Sequence, residues 1–186
     1  MYLTWEECKE QVNGYKGAIY KSFKSIEEAK SFIEEKKTNF NQDNGLIAYV
    51  DGSFNIKTKE YGYGCVIILG QKVICELNGK GNDPRYVSMR NVAGEILGSL
   101  QALKYASNHG YKEICIYYDY EGIEKWANGL WKANKEGTIN YQQEIAKYRQ
   151  SLTIMFIKVL AHSGDFYNER ADFLAKKAVG INGKKD

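Results

Sequence analysis

Ile47-Ala48-Tyr49-Val50-Asp51-Gly52-Ser53-Phe54 is the stretch from which the rest of the chain can be read. Its apolar opening predicts a strand buried on both faces that stops at the Asp51 carboxylate. Gly52 and Ser53 then supply small groups where the backbone is expected to bend. A charge at the end of a core strand is costly unless it is paired or holds a metal ion. Read alone, Asp51 is a turn-capping residue. Three acids further along, Glu95, Asp119 and Asp172, each on an element expected to be core, change that reading.

The chain has 186 residues, 44% of them hydrophobic, enough for one full domain and a small appendage. No apolar run approaches the length of a membrane span, and nothing resembles a signal peptide. Cys8, Cys65, Cys75 and Cys115 are scattered without a C-x-x-C pair. They read as reduced thiols of a cytoplasmic protein rather than a zinc site or disulfide framework. The net charge of +3 is too mild to identify a nucleic-acid partner by itself.

Residues 1–33 read as a small αβα unit. Thr4 and Glu7 form a capping box for a helix through Val12, and Asn13-Gly14 ends it. Gly17 to Phe23 alternates like a strand. Ser25 and Glu28 repeat the capping signature ahead of Ala29, Phe32 and Ile33. Leu3-Thr4-Trp5-Glu6-Glu7-Cys8 and Gly17-Ala18-Ile19-Tyr20-Lys21-Ser22-Phe23 resemble the hybrid-binding domain found ahead of some cellular ribonucleases H and related to caulimovirus viroplasmin. The resemblance covers the later part of that domain, whose usual first strand would precede Met1. It implies that Trp5 and Tyr20 lie against the DNA strand of an RNA/DNA hybrid and that Lys21 approaches a phosphate.

Residues 34–45 are polar and turn-rich, a linker to a main domain over 46–186. After the Asp51 strand, Gly62 to Leu69 and Lys72 to Leu77 are joined tightly at Gly70-Gln71, which predicts an antiparallel meander. A helix is expected from about Val87 to Asn108, with Val92, Ile96, Leu100 and Leu103 facing a core. Gly94, Gly98 and Ala102 would let it lie close to the sheet. Glu113 to Tyr118 is a fourth strand, followed by Asp119. Helical segments with Trp126 and Trp131 come next, interrupted at Gly129 and over Asn134 to Gly137. A helix over Tyr141 to Gln150, a strand over Leu152 to Leu160 and a closing helix over Asn168 to Val179 complete the order. The order implies one mixed five-stranded α/β sheet with flanking helices, the Asp51 strand central.

Asp51 and Asp119 both follow core strands, so they can meet in one crevice. Glu95 sits within the first long helix beside its small residues, and Asp172 lies early in the last helix between Ala171 and Phe173. Taken singly, each is an ordinary surface, dipole or turn residue. Together they form a hard-oxygen cage suited to Mg²⁺.

The groups Tyr49-Val50-Asp51-Gly52-Ser53, Asn91-Val92-Ala93-Gly94-Glu95, Tyr117-Tyr118-Asp119 and Ala171-Asp172 resemble the four-acid set of type 1 ribonucleases H. The run from His162 to Arg170 resembles that family's histidine loop. The likeness spans about Leu46 to Val179 and implies a ribonuclease H-like fold. It also implies an endoribonuclease that hydrolyses the RNA strand of RNA/DNA hybrids to 5′-phosphate and 3′-hydroxyl ends. Two Mg²⁺ ions about 4 Å apart, or Mn²⁺ in their place, would activate a water and stabilise the leaving oxygen. By the resemblance Asp51 bridges the ions, Asp119 and Asp172 complete one site, and Glu95 with Asp51 makes the other.

His162 titrates in the range suited to proton transfer, and the resemblance gives it that role. His109, after Asn108, reads as a charge partner for a helix C-terminus. By resemblance Asn91 reads the minor groove, while the Gly52 and Ser53 backbone contacts the scissile-side ribose. Trp126 lines the DNA channel in the same reading; a core tryptophan is the alternative. Lys132 and Lys135 stand where the family carries a basic protrusion. Arg90 replaces a threonine that helps hold a DNA phosphate, and Leu160 replaces a residue that is often basic.

The sequence thus predicts a monomeric, cytoplasmic ribonuclease H acting on RNA/DNA hybrids, with no membrane partner. A DNA nuclease of the same fold, of resolvase or integrase type, is one alternative. A catalytically idle hybrid-binding module is another, against which the intact acid set speaks.

Overall fold

A computed structural model of the chain describes residues 4–12, 22–23, 25–26, 45–159 and 165–181. It divides into two compact units, Met1–Asn39 and Phe40–Asp186. In the first, helix α1 (Trp5–Val12) opens as its capping residues require. The Glu7 N–H donates to Thr4 Oγ1 and the Thr4 N–H to Glu7 Oε2, each at 3.3 Å. Most of the expected strand over 17–23 and of the helix after Ser25 lies outside the described residues.

The second unit holds a five-stranded sheet in the order β3-β2-β1-β4-β5. Its strands are β1 (Leu46–Asn55), β2 (Glu60–Leu69), β3 (Lys72–Lys80), β4 (Glu113–Tyr118) and β5 (Thr153–Lys158). β1, β2 and β3 form the expected antiparallel meander, and β4 and β5 run parallel to β1. With β1 in the middle, its alternate residues feed two cores. Leu46, Ala48 and Val50 join Ile96, Ala102 and Leu103 of helix α2 (Asn91–Asn108). Tyr141 and Ile145 of α4 (Glu136–Tyr148) belong to that same cluster. On the opposite face Ile47 and Tyr49 pack with Ala171 and Leu174 of α5 (Phe166–Ala178). The short α3 (Gly122–Ala127) follows β4. No helix among the described residues is long and apolar enough to cross a membrane.

Several boundaries differ from expectation, each for a local reason. β1 does not stop at Asp51: its pairing with β2 continues from Asp51↔Gly64 to Asn55↔Glu60. Its pairing with β4 does end early, at Tyr49↔Tyr117. Asp51 therefore lies inside the strand, but beyond the point where its β4 edge is covered. The helix expected from Val87 is two elements. A 3₁₀ turn over Pro84–Met89 is capped by Asp83, which accepts the Arg85 N–H at 3.0 Å, and α2 starts afresh after Arg90. Arg90 breaks the two apart with φ 53°, a conformation that favours glycine. Glu136 and Gly137, expected in an interruption, open α4. There the Lys135 N–H donates to Thr138 Oγ1 at 3.2 Å, and Gly137 is pressed against Met89. Trp131 lies outside any helix, because α3 ends at Ala127 and Gly129 takes φ 69°. The last helix begins two residues before Asn168, where Asp165 accepts the N–H groups of Tyr167 and Asn168 at 3.0 and 3.1 Å.

Candidate active site

Each acid owes its place to an element boundary or a missing side chain. Tyr49 and Tyr117 are register partners whose rings stack at 4.6 Å. Two residues after each tyrosine stand Asp51, still in β1, and Asp119, just past the end of β4, and the Asp119 charge acts on Asp51. Glu95 arrives from one face of the sheet. A Cβ on Gly52 would lie 2.0 Å from the Asn91 carbonyl oxygen and 2.4 Å from the Glu95 nitrogen. One on Gly94 would lie 2.0 Å from the Gly62 carbonyl oxygen. Only glycine at both positions lets α2 sit this close to β1 and β2.

From the other face comes Asp172. Gly64, the β2 partner of Asp51, is covered by α5: a Cβ there would be 2.0 Å from the Ala171 carbonyl oxygen. Two helices thus close on the same point of the sheet from opposite sides. The small residues of α2 are evident in its sequence pattern; their counterparts in the sheet, Gly52, Gly62 and Gly64, become evident in the packing. The alternation Gly62-Tyr63-Gly64 within a strand was the available signal.

Glu95 is 2% exposed, and its Oε1 accepts the Asp119 and Tyr120 N–H groups at 3.3 and 3.2 Å. Burial, then the charges of Asp119 and Asp51, hold its carboxyl well above the usual carboxylate range. Asp51 is pushed up to about 7, by burial first and then by Asp119 and Asp172. The Gly52 N–H, 2.6 Å from Asp51 Oδ1, and the Lys176 charge act the other way. Asp172 Oδ2 is 2.6 Å from Lys176 Nζ.

These repulsions couple Asp51 to each of the other three acids and Glu95 to Asp119. Among the described residues no group of three or more His, Cys, Asp or Glu side chains stands arranged to hold a metal ion. The two observations are compatible. The carboxylate oxygens engage nearby donors, backbone N–H groups for Asp51 and Glu95 and Lys176 for Asp172. The donor set, all carboxylate oxygen and partly desolvated, fits a hard divalent cation. Asp119, expected with Asp172 at one ion, donates its N–H to Glu95, and Asp172 pairs with Lys176.

Around this cluster, Ser53 is buried and Arg90 and Asn91 are exposed at the start of α2. The Arg90 guanidinium has no hydrogen-bond or ion-pair partner among the described residues, which leaves it available to a ligand. Trp126 has a core face and a groove face. It packs against the main core and against Tyr120 and Trp131, with ring centroids 5.8 Å from each. It also lines a groove of about 310 Å³ with Val92, Tyr120, Lys132 and Lys135. Trp5, 51% exposed on α1, belongs to the other unit. Tyr20, Lys21, Leu160 and His162 lie outside the described residues. His109 does cap a helix C-terminus: its Nδ1 is 2.8 Å from the Tyr105 carbonyl oxygen.

Comparison with known proteins places these features in a family. Residues 43–180 match the RNase H family model, and residues 1–33 match that of the ribonuclease H1 N-terminal domain. The ribonuclease H of Acetivibrio thermocellus is 30% identical over 149 residues, 74% of this chain and 96% of that one. The Saccharomyces cerevisiae enzyme is 58% identical over 41 residues, a match that takes in 22% of this chain and 12% of that one. Among solved structures, LC11-RNase H1 in complex with an RNA/DNA hybrid superposes with a TM-score of 0.60 at 20% identity, over 73% of this chain and 96% of that chain. The fold is ribonuclease H-like. The chain belongs to the ribonuclease H family, as a type 1 enzyme preceded by a ribonuclease H1 N-terminal domain. It is a hydrolase that cleaves the RNA strand of RNA/DNA hybrids.

Proposed function

We propose that Asp51, Glu95, Asp119 and Asp172 are the catalytic residues of that hydrolysis and hold two divalent cations, Mg²⁺ or in its place Mn²⁺. The observation that carries this is the double crossing of the sheet. α2 over Gly52 and α5 over Gly64 bring Glu95 and Asp172 toward Asp51, on which the Asp119 charge also acts. Asp51, coupled electrostatically to the other three, would serve both ions; Glu95 and Asp119, joined through the Asp119 N–H, would complete one site and Asp172 the other. Bound divalent ions supply a water of lowered pKa and neutralise charge developing on the phosphate and the leaving oxygen, giving 5′-phosphate and 3′-hydroxyl ends.

The remaining groups bind and orient. Asn91 and the Gly52–Ser53 backbone adjoin Glu95 and are suited to read the ribose side of the minor groove. Arg90 offers a charge to a backbone phosphate, and the Trp126 groove offers an aromatic wall to the DNA strand. His162 has the titration range to carry a proton to the leaving group. Trp5, Tyr20 and Lys21 would add hybrid affinity from the amino-terminal unit. One copy supplies all four acids, which supports action as a monomer, and the four free thiols support a reducing, cytoplasmic setting.

Two measurements test this reading. Incubated with labelled RNA/DNA, DNA/DNA and RNA/RNA duplexes, the enzyme should cut only the RNA of the hybrid, and only with a divalent cation. Cutting of DNA/DNA would favour a DNA nuclease instead.

The second is the dependence of stability on pH. Asp51 and Glu95 take up protons at higher pH in the folded chain than in the unfolded one. Between about pH 4 and pH 7 the native state therefore binds more protons, and stability falls as pH rises through that window. For Asp51, displaced from 3.8 to about 7, the loss is roughly 4 kcal/mol at most. The cation-free protein should melt lower at pH 8 than at pH 5.5. Millimolar Mg²⁺ should raise the melting temperature at pH 8, removing the difference, and do little at pH 5.5. A melting temperature indifferent to the cation at pH 8 would dissociate the acids from metal binding.

A further inference from the structure

We infer that Lys176 is a tethered counter-ion that occupies the charge position of the second divalent cation and must give way when that cation binds. The inference rests on the reading of Asp172 as a metal ligand.

Lys176 lies one helical turn after Asp172 on α5, and its Nζ is 2.6 Å from Asp172 Oδ2. The pair is partly shielded, with side chains 35% and 29% exposed. An Asp-to-Lys pair at i,i+4 near a helix C-terminus is by itself an ordinary surface feature worth a few tenths of a kcal/mol. Two features separate it from that. Its acid adjoins the buried Asp51, and the lysine charge reaches Asp51 as well, partly offsetting the repulsion of Asp119 and Asp172. Lys177, the next residue on the same helix end, acts on Glu76 by its charge, so the two lysines of this helix end do not serve the same acid.

The consequence is an inequality between the two ion sites. An ion taken up at Glu95 displaces neutral donors, the Asp119 and Tyr120 backbone N–H groups. An ion shared by Asp51 and Asp172 must take a carboxylate oxygen that an ammonium already holds, and then lies beside that ammonium. Like charges within one ion-pair distance repel, and the site fills only as Nζ swings out along its flexible stem. The polyanionic substrate, which adds phosphate oxygens to the same position, would help to drive this exchange. The second ion is therefore the weaker one, and Lys176 sets how much weaker.

Calorimetric titration of the full cation-free chain with Ca²⁺ and with Mg²⁺ tests this without any turnover. Lys176→Gln should tighten the weaker binding step about five- to tenfold and leave the tighter step unchanged. Lys176→Arg, which keeps the charge, should behave as the wild type. In Asp172→Asn the effect of Lys176→Gln should vanish, as a double-mutant cycle requires. Unchanged cation affinity in Lys176→Gln, in a protein that melts within a degree or two of wild type, would overturn the inference and reduce the pair to a helix contact. Should Asp51→Asn bind both cations as the wild type does, the metal reading itself has failed, and the two failures are thus distinguishable.

Discussion

Asp51→Asn is expected to abolish cleavage, on the order of 10³-fold or more, while raising the stability of the cation-free protein. The first effect follows from its position. Asp51 is coupled electrostatically to each of the other three acids, and an amide in its place keeps the shape but removes the charge that both ions would need. The second follows from burial. At pH 8 the native state holds a desolvated carboxylate repelled by Asp119 and Asp172, and removing that charge should raise the melting temperature by roughly 5 °C. At pH 5.5, where the carboxyl is already protonated, the gain should shrink. Hybrid affinity measured in Ca²⁺ should change little, since substrate contacts are spread over other residues. Turnover of the Asn variant at a tenth of the wild-type rate would remove Asp51 from its assigned role, and a fall in stability at pH 8 would contradict the electrostatics.

Gly52→Ala should be among the most damaging single substitutions in the molecule, although it adds one methyl group and no charge. The new Cβ would lie 2.0 Å from the Asn91 carbonyl oxygen and 2.4 Å from the Glu95 nitrogen, both backbone atoms of α2. No rotamer change relieves such a contact; the helix must lift off the sheet. Overpacking a well-filled core costs up to about 3 kcal/mol and more where backbone is involved, so the expected fall in melting temperature is roughly 10 °C. Whatever folds should also be slow, because moving Glu95 by even about 1 Å can cost on the order of 10²-fold. Gly98→Ala is the internal control. Its Cβ would come no closer than 3.3 Å, to a Tyr63 side-chain atom, and it should be tolerated far better. Equal stabilities for the two variants by denaturant unfolding would mean that close helix–sheet approach does not position Glu95.

Much of the chain was legible because short-range physics writes itself into composition. The Thr4–Glu7 cap, the meander turned at Gly70-Gln71, and the change from period-two to helical patterning after the Pro84 turn all follow from neighbouring residues. Each needs nothing beyond propensity and periodicity. The boundaries that shifted were those set by distant partners. Residues 51–55 look like the end of a strand, since Asp, Gly, Ser and Asn all favour turns. They remain extended because β2 lies alongside and completes their hydrogen bonds. Gly137 looked like a break and sits instead in the first turn of α4, where Met89 and Tyr86 fill the space beside it.

By itself, then, the sequence determined which acids were available, which strands and helices would carry them and what chemistry an all-oxygen set could serve. Tertiary structure alone decided that Gly52 in β1 and Gly64 in β2 open opposite faces of the sheet to two helices, that Asp119 falls beside Glu95, and that Lys176 folds back onto Asp172. The reason is one of range. Capping and periodicity act over a turn or a strand, whereas the approach of a helix to a sheet depends on atoms dozens of residues apart coming within van der Waals distance.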